Sequence, residues 1–170
     1  MKILETERTI LREVTKDDAE FVLDLLNQPS FIKYIGDRNV RTLEQARDYI
    51  TNRFTESYKK FGFGMWAVVL RETNQPIGIC GFVKRDSLPD ADIGFAFLSQ
   101  YERKGYAFES ASAALEYGKT ALNLKRVLAI TSKDNESSGR LLGKLRFKFE
   151  RLIVLPDSDE KLKLFSYPAS

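Results

Sequence analysis

Apolar and polar positions alternate or recur in a readable order along this chain. The alternation over Thr9-Ile10-Leu11-Arg12-Glu13-Val14 predicts a short strand. Thr15 to Asp18 then offers an N-cap for a helix through about residue 27, with Ala19, Phe21, Val22, Leu25 and Leu26 as its buried face. A loop carrying Pro29 and Gly36-Asp37 follows, and a second helix is predicted from about Thr42 to Tyr58, with Thr42 and Gln45 at capping-box spacing. Phe63 to Arg71 and Gln75 to Arg85 read as two strands of a hairpin that turns at Glu72-Thr73-Asn74. Leu88-Pro89-Asp90 turns the chain into an apolar strand over residues 92 to 98. Ala107, Ala111, Ala114, Leu115, Gly118 and Leu122 then recur at helical spacing. Leu124 to Ser132 predicts a strand and Asn135 to Leu145 a short helix. Phe147 to Leu155 and Lys161 to Tyr167 close the chain as a hairpin around Pro156-Asp157-Ser158. With no linker, repeat or low-complexity stretch, residues 1–170 are expected to form one α/β or α+β domain.

Composition narrows the chemistry. Hydrophobic content of 43% and charged content of 30% are ordinary for a globular chain of 170 residues, long enough for a core without staples. There is no run of ~18 apolar residues, and Met1 to Glu7 lacks the apolar stretch of a leader peptide, so a cytoplasmic location away from membranes is expected. Cys80 is the only cysteine; its strand-like flanks predict a buried, inert thiol. The chain contains no histidine. That removes the usual general base and His-based zinc sites, so proton transfer would run through carboxylates, hydroxyls or water. A net charge of +3, with basic residues that lack interleaved aromatic and glycine positions, argues against a nucleic-acid partner.

The most telling segment is Gln100-Tyr101-Glu102-Arg103-Lys104-Gly105-Tyr106-Ala107, between the strand over 92 to 98 and the Ala-rich helix. A helix start carries unpaired N–H groups and a partial positive charge. A phosphate-bearing ligand can dock there, most closely at Gly105, which has no side chain. A tight turn is the plainer reading of the same strand-Gly-helix junction, and this segment does not separate the two.

The order of elements and two sequence segments together resemble the GNAT superfamily of acetyl-CoA-dependent N-acyltransferases. The family's cradle is Gln/Arg-x-x-Gly-x-Gly/Ala, and Gly105, Tyr106 and Ala107 match its second half. Downstream, Asn135 to Phe147 is similar to the Asn-x-x-Ser-x-x-x-Leu-x-Lys-x-Gly-Phe segment of the ribosomal-protein N-terminal acetyltransferase branch, as is the stretch from Asp92 through Glu109. The resemblance implies a mixed, mostly antiparallel twisted sheet of about seven strands with about four helices, in the order β-α-α-β-β-β-α-β-α-β-β. Three positions depart from the family pattern. Glu102 stands at the Gln/Arg position, Arg146 replaces the glycine before Phe147, and Leu142 occupies the place of a frequent tyrosine acid.

What the resemblance implies for mechanism is direct attack of an amine on the thioester of acetyl-CoA, with no covalent enzyme intermediate. The cofactor would be held by Phe97, Leu98 and Ser99 along the pantetheine arm, by Arg103, Lys104, Gly105, Tyr106 and Ala107 at the pyrophosphate, and by Asn135 and Ser138. Ser138 matches the branch's candidate acid for the leaving thiolate, with a capping hydroxyl as its alternative role. Asp92 is the candidate base, with a solvent-exposed strand-edge charge as its alternative, and Asp157 ranks after it. The acceptor would be a protein N-terminal α-amine or a small-molecule amine. An α-amine titrates near 8 and a lysine amine about two units higher, so the former needs a weaker base. The loop from Gln28 to Val40, with exposed-looking Lys33, Asp37 and Arg38, is where acceptor selectivity is expected, beside the aromatics Phe31, Tyr34, Trp66 and Phe95, most of which suit the core. Exposed strand edges at the terminal hairpin leave monomer and homodimer both open. A degenerate acyl-CoA-binding or interaction module on the same fold is the competing function, motivated by Glu102, Leu142 and Arg146.

Overall fold

A computed structural model describes residues 1–168. Its framework is one eight-stranded sheet, built from β1 (Lys2–Glu5), β2 (Thr9–Glu13), β3 (Met65–Leu70), β4 (Pro76–Val83), β5 (Asp92–Phe97), β6 (Arg126–Ser132), β7 (Lys148–Ile153) and β8 (Leu162–Pro168). The spatial order is β1-β2-β3-β4-β5-β6-β8-β7; β5 and β6 run parallel, and every other neighbouring pair is antiparallel. The helices are α1 (Ala19–Leu26), α2 (Pro29–Tyr34), α3 (Leu43–Tyr49), α4 (Glu56–Phe61), α5 (Tyr106–Thr120) and α6 (Glu136–Lys144).

The central strands are buried on both faces. Trp66 and Val68 of β3 pack into one core with Phe82, Phe97, Ala111, Leu115 and Leu142, beneath α5 and α6. Ala67 and Val69 of the same strand point the other way, into a core with Val22, Leu25, Ala46, Ile50 and Phe54, beneath α1 and α3. Strand alternation thus divides one apolar run between two layers, which is why β3 and β4 read as almost continuously hydrophobic. Trp66 is 1% exposed and meets Phe82 and Tyr117 edge to face, so its role is core packing. Cys80 is buried, and burial pushes its thiol up to about 12, as an inert cysteine requires. Helix α5 sits close on the sheet because Gly118 has no side chain; a Cβ there would lie 2.8 Å from Phe82.

The structure adds two elements to those expected and reshapes a third. β1, Lys2–Glu5, is a short edge strand that alternation over four residues hardly announces. The segment after α1 is not all loop. Pro29 stands at the start of α2, where its fixed φ and missing N–H suit a first turn. The second predicted helix continues past Tyr58 to Phe61, with a π-helical stretch over Ile50–Thr55, and stops at Gly62, whose φ is +77°. The sheet therefore has eight strands rather than about seven, and α2 joins the helices.

Helix α6 ends in a Schellman arrangement. The Phe147 N–H donates to the Leu142 carbonyl (2.9 Å), and the Arg146 N–H donates to the Gly143 carbonyl (3.0 Å). Arg146 takes the left-handed position, φ +72°, as the glycine it replaces would. An L side chain pays about 1–2 kcal/mol there, partly offset by the smaller entropy it loses on folding relative to glycine. Arg146→Gly is therefore expected to raise stability by roughly 0.5–1 kcal/mol in urea unfolding, with no change in the m-value.

Candidate functional site

The parallel pair β5–β6 is joined at one register position, Asp92 opposite Leu128, where the Leu128 N–H donates to the Ala91 carbonyl (2.9 Å). Beyond it the strands separate. The Leu98 N–H donates to the Ile77 carbonyl, so Leu98, and by alternation Ala96, aim their backbone groups at β4. Those of Phe95 and Phe97 face the opening. A cleft of about 1500 Å³ occupies it, lined by β5, the ends of β4 and β6, the start of α6 and the segment from α2 to α4.

At the end of β5 the chain passes through a short 3₁₀ turn, Ser99–Tyr101, into the start of α5. Arg103 and Gly105 both have positive φ, +62° and +84°. Among the described residues, the N–H groups of residues 103 to 108 have no hydrogen-bond partner; the first bond into the helix is Glu109 N–H to the Gly105 carbonyl. Such a concave run of free amides at a helix start suits an anion by geometry and by dipole. Glu102 does not close it. Its carboxylate accepts from Ser30 Oγ (3.4 Å) on α2 and makes no hydrogen bond with those amides.

A polar clamp holds this helix start in place. The Glu109 carboxylate receives the Arg8 N–H (2.8 Å), Arg8 Nε (2.7 Å) and Thr6 Oγ1, all from the β1–β2 turn. Arg8 Nη1 also donates to the Lys104 carbonyl (3.0 Å), and its guanidinium lies 4.3 Å from the centre of the Tyr106 ring. Burial alone would raise the Glu109 carboxyl, but the hydrogen bonds from Thr6 and Arg8 outweigh it and hold the group below its ordinary value. Sequence inspection missed this clamp because Thr6 and Arg8 lie about a hundred residues from Glu109, with no shared pattern.

The structure brings Phe97, Arg103, Gly105, Ala107, Asn135, Ser138 and Asp92 to the walls of one cleft. Tyr106 and Lys104 belong to the same helix start without lining it. Leu98 and Ser99 are turned elsewhere: the Ser99 N–H and Oγ both donate to Gln28 Oε1 (3.1 and 2.7 Å). Asn135, not Ser138, caps α6; its Oδ1 accepts the Ser138 N–H (3.2 Å), and the half-buried Ser138 hydroxyl has no partner among the described residues. Asp92 is 2% exposed, which excludes a solvated edge charge. Arg85 Nε donates to its Oδ1 (3.0 Å), yet burial pushes the Asp92 carboxyl up against the opposing pull of Arg85 and Lys84. Asp157 is exposed in its turn and outside the cleft lining, whereas Glu160 lies on it. Thr131 also lines the cleft, and its buried Oγ1 has no partner among the described residues. Leu142 is a core residue, 1% exposed.

A mostly antiparallel sheet split at its one parallel pair, with free helix-start amides beside the split, defines an acyltransferase of the GNAT type. Comparison with known proteins agrees: residues 8–148 match the model of the acetyltransferase (GNAT) domain, and the chain belongs to that family, whose co-substrate is acetyl-CoA. It is 35% identical over 152 residues to the uncharacterized N-acetyltransferase YoaA of Bacillus subtilis strain 168, spanning 89% of this chain and 85% of that one. It is 31% identical over 108 residues to the ribosomal protein uS5-alanine N-acetyltransferase of Escherichia coli K12, spanning 62% of this chain and 54% of that one. The solved structure of a ribosomal L7/L12 α-N-protein acetyltransferase in complex with coenzyme A superposes with a TM-score of 0.84 over 99% of this chain and 98% of that one, at 15% identity, a likeness of fold. No described helix is long and apolar enough to cross a membrane.

Because the folded state lowers the Glu109 carboxyl, the clamp stabilises the protein above the unfolded value of about 4.3 and is lost as pH falls through the depressed folded value. Glu109→Gln is expected to melt below wild type at pH 7, with the gap closing as pH falls through that depressed value in paired thermal scans.

Proposed function

We propose that this acetyltransferase moves the acetyl group of acetyl-CoA directly to a primary amine, a protein N-terminal α-amine or a small-molecule amine, with both substrates held in the cleft at once. The observation that carries the reading is the row of free amides at residues 103 to 108 opening onto the β5–β6 split. Gly105 and the first turn of α5 bind the pyrophosphate, and Arg103 adds a positive side chain at the same rim. The backbone groups of Phe97 and Phe95 pair with the pantetheine arm, which directs the thioester along the strand edge. Acetyl-CoA supplies the electrophilic carbonyl and the thiolate leaving group.

Ser138 carries the proton for the leaving thiolate. Its hydroxyl is free, it lines the cleft, and it stands in the first turn of α6, where helix N–H groups favour negative charge. Asn135 fixes that turn and keeps its amide nitrogen available to the cofactor. Asp92 takes the proton from the amine, directly or through water; burial raises its basicity, and Arg85 restrains how far. The missing histidine suits an α-amine acceptor, part of which is already neutral at physiological pH. The three departures from the family pattern do not favour a degenerate module: Glu102 leans to Ser30, Arg146 adopts the glycine-like turn, and Leu142 packs in the core.

Thiol release from acetyl-CoA, followed over α-amine peptides, lysine side chains and small amines, tests the reading. Ser138→Ala is expected to lower kcat by about 10²-fold with little change in coenzyme A affinity. For Asp92, the rate should rise with pH through an ionisation above the ordinary carboxylate value of about 3.9, and this limb should vanish in Asp92→Asn. Gly105→Ala places a Cβ 3.1 Å from Arg8 Nη2 at φ +84° and should weaken coenzyme A binding more than about tenfold in calorimetry. Unchanged rates in both catalytic variants, or full affinity in Gly105→Ala, would refute these assignments.

A further inference from the structure

The turn after α2 is pinned by hydrogen bonds. Asp37 accepts from the Asn39 N–H (2.8 Å) and from Arg41 Nη2 (2.6 Å). Arg41 Nη1 reaches Asn27 Oδ1 (2.9 Å), and Asn27 Nδ2 donates to the Leu23 and Val40 carbonyls (2.8 Å each). The acid next to Arg38 is therefore committed to Arg41. Among the described residues Arg38 makes no hydrogen bond and no ion pair, and its Nε is sealed from solvent without a partner. Its side chain is half-buried and lines the cleft, in contrast to the exposed position its loop predicts. A guanidinium N–H removed from water and left without an acceptor is destabilising, so Arg38 is held on the cleft wall at a cost, and its unpaired Nη donors are left for an acceptor oxygen brought in by a ligand.

The surrounding wall has the same polarity. Arg53 and Lys60, from the π-helical stretch and α4, line the cleft with no carboxylate of the described residues in ion-pair range; their near neighbours are the Tyr49 and Phe61 rings. Glu56, the acid that the α2–α4 segment adds to the lining, lies 3.8 Å from Lys59, and Glu102 meets this wall at Ser30. The rest of the lining mixes signs: Asp134, Glu136 and Glu160 stand with Arg140 and Lys144, and Glu136 lies 3.8 Å from Arg140. Arg38, Arg53 and Lys60 are thus lining cations that no acid pairs with among the described residues, and an acceptor that carries an anion besides its amine matches them.

We propose that Arg38, supported by Arg53 and Lys60, grips a carboxylate or phosphate on the acceptor, which makes anion-bearing primary amines the favoured substrate class. This rests on the acetyl-transfer reading, and binding and turnover are measured separately so that the two can fail independently. In the full chain saturated with coenzyme A, acetyl-Ala-Glu-Glu-amide is compared by calorimetry with its isostere acetyl-Ala-Gln-Gln-amide. The acidic peptide is expected to bind about tenfold tighter, with a margin that shrinks as salt is added. Arg38→Gln should remove that margin while coenzyme A affinity stays unchanged, and Arg38→Lys should restore part of it. In turnover, free Ala-Glu-Glu-amide, its Gln isostere, O-phosphoethanolamine, ethanolamine and spermidine separate carboxylate from phosphate and both from polyamine. The loss in Arg38→Gln should be largest for the anion-bearing amines and fall mainly on KM. Equal binding of the two acetylated peptides, equal weakening of both in Arg38→Gln, or spermidine as the preferred acceptor would overturn the anion site. Selective binding without thiol release from any amine would support the anion site and refute acetyl transfer.

Discussion

A parallel strand pair that bonds at Leu128 and Ala91 and then separates leaves the remaining edge of β5 facing open space, an arrangement that collapse of the neighbouring apolar layers would ordinarily erase. What keeps it open is that β5 and β6 are each fully paired on their other side, to β4 and β8, while Ile93 and Phe97 of one and Val127 and Ala129 of the other share a single core. The opening is thus held between two complete strand pairings over one packed layer. The free amides of α5, the backbone of Phe95 and Phe97, and the hydroxyls of Ser138 and Thr131 are all addressed to that space.

The helix start that borders the opening is fixed from outside. Thr6 and Arg8 reach from the β1–β2 turn to Glu109, one turn into α5, and Arg8 continues to the Lys104 carbonyl and the Tyr106 ring. A row of unpartnered N–H groups is costly unless solvent or a ligand satisfies it, and a frayed helix would satisfy it by moving. The clamp prevents that movement and keeps the amides preorganised, the condition under which an anion site binds without first ordering its own backbone. The pinned turn at Asp37 to Arg41 does the same for Arg38 on the facing wall.

Much of this was legible from particular residues. Alternation and helical spacing located most strands and helices, and Gly105-Tyr106-Ala107 marked a candidate anion site that a tight turn would explain as well until the Asn135 to Phe147 segment is set beside it. The glycine that the family pattern places before Phe147 suits a left-handed helix end, and Arg146 at that position has φ +72°. Short elements were the failures. β1 is too brief to show a period, and Pro29 signals a loop or a first helical turn with equal force until its neighbours are placed. Asp92 could be an exposed edge charge or a buried one, because strand periodicity fixes the face of a residue and says nothing of what covers it.

The sequence by itself determined most of the element order and the family, and it marked the Gly105 segment as a candidate cradle, because these follow from local periodicity and from motifs at a recognisable separation. Tertiary structure alone decided the burial of Asp92 against Arg85, the Thr6-Arg8-Glu109 clamp, the turning away of Leu98 and Ser99, and the unpaired state of Arg38 beside an acid already bound to Arg41. Each of these depends on which distant group reaches a given atom first. That competition is settled by packing in three dimensions, where separation along the chain gives no measure of distance.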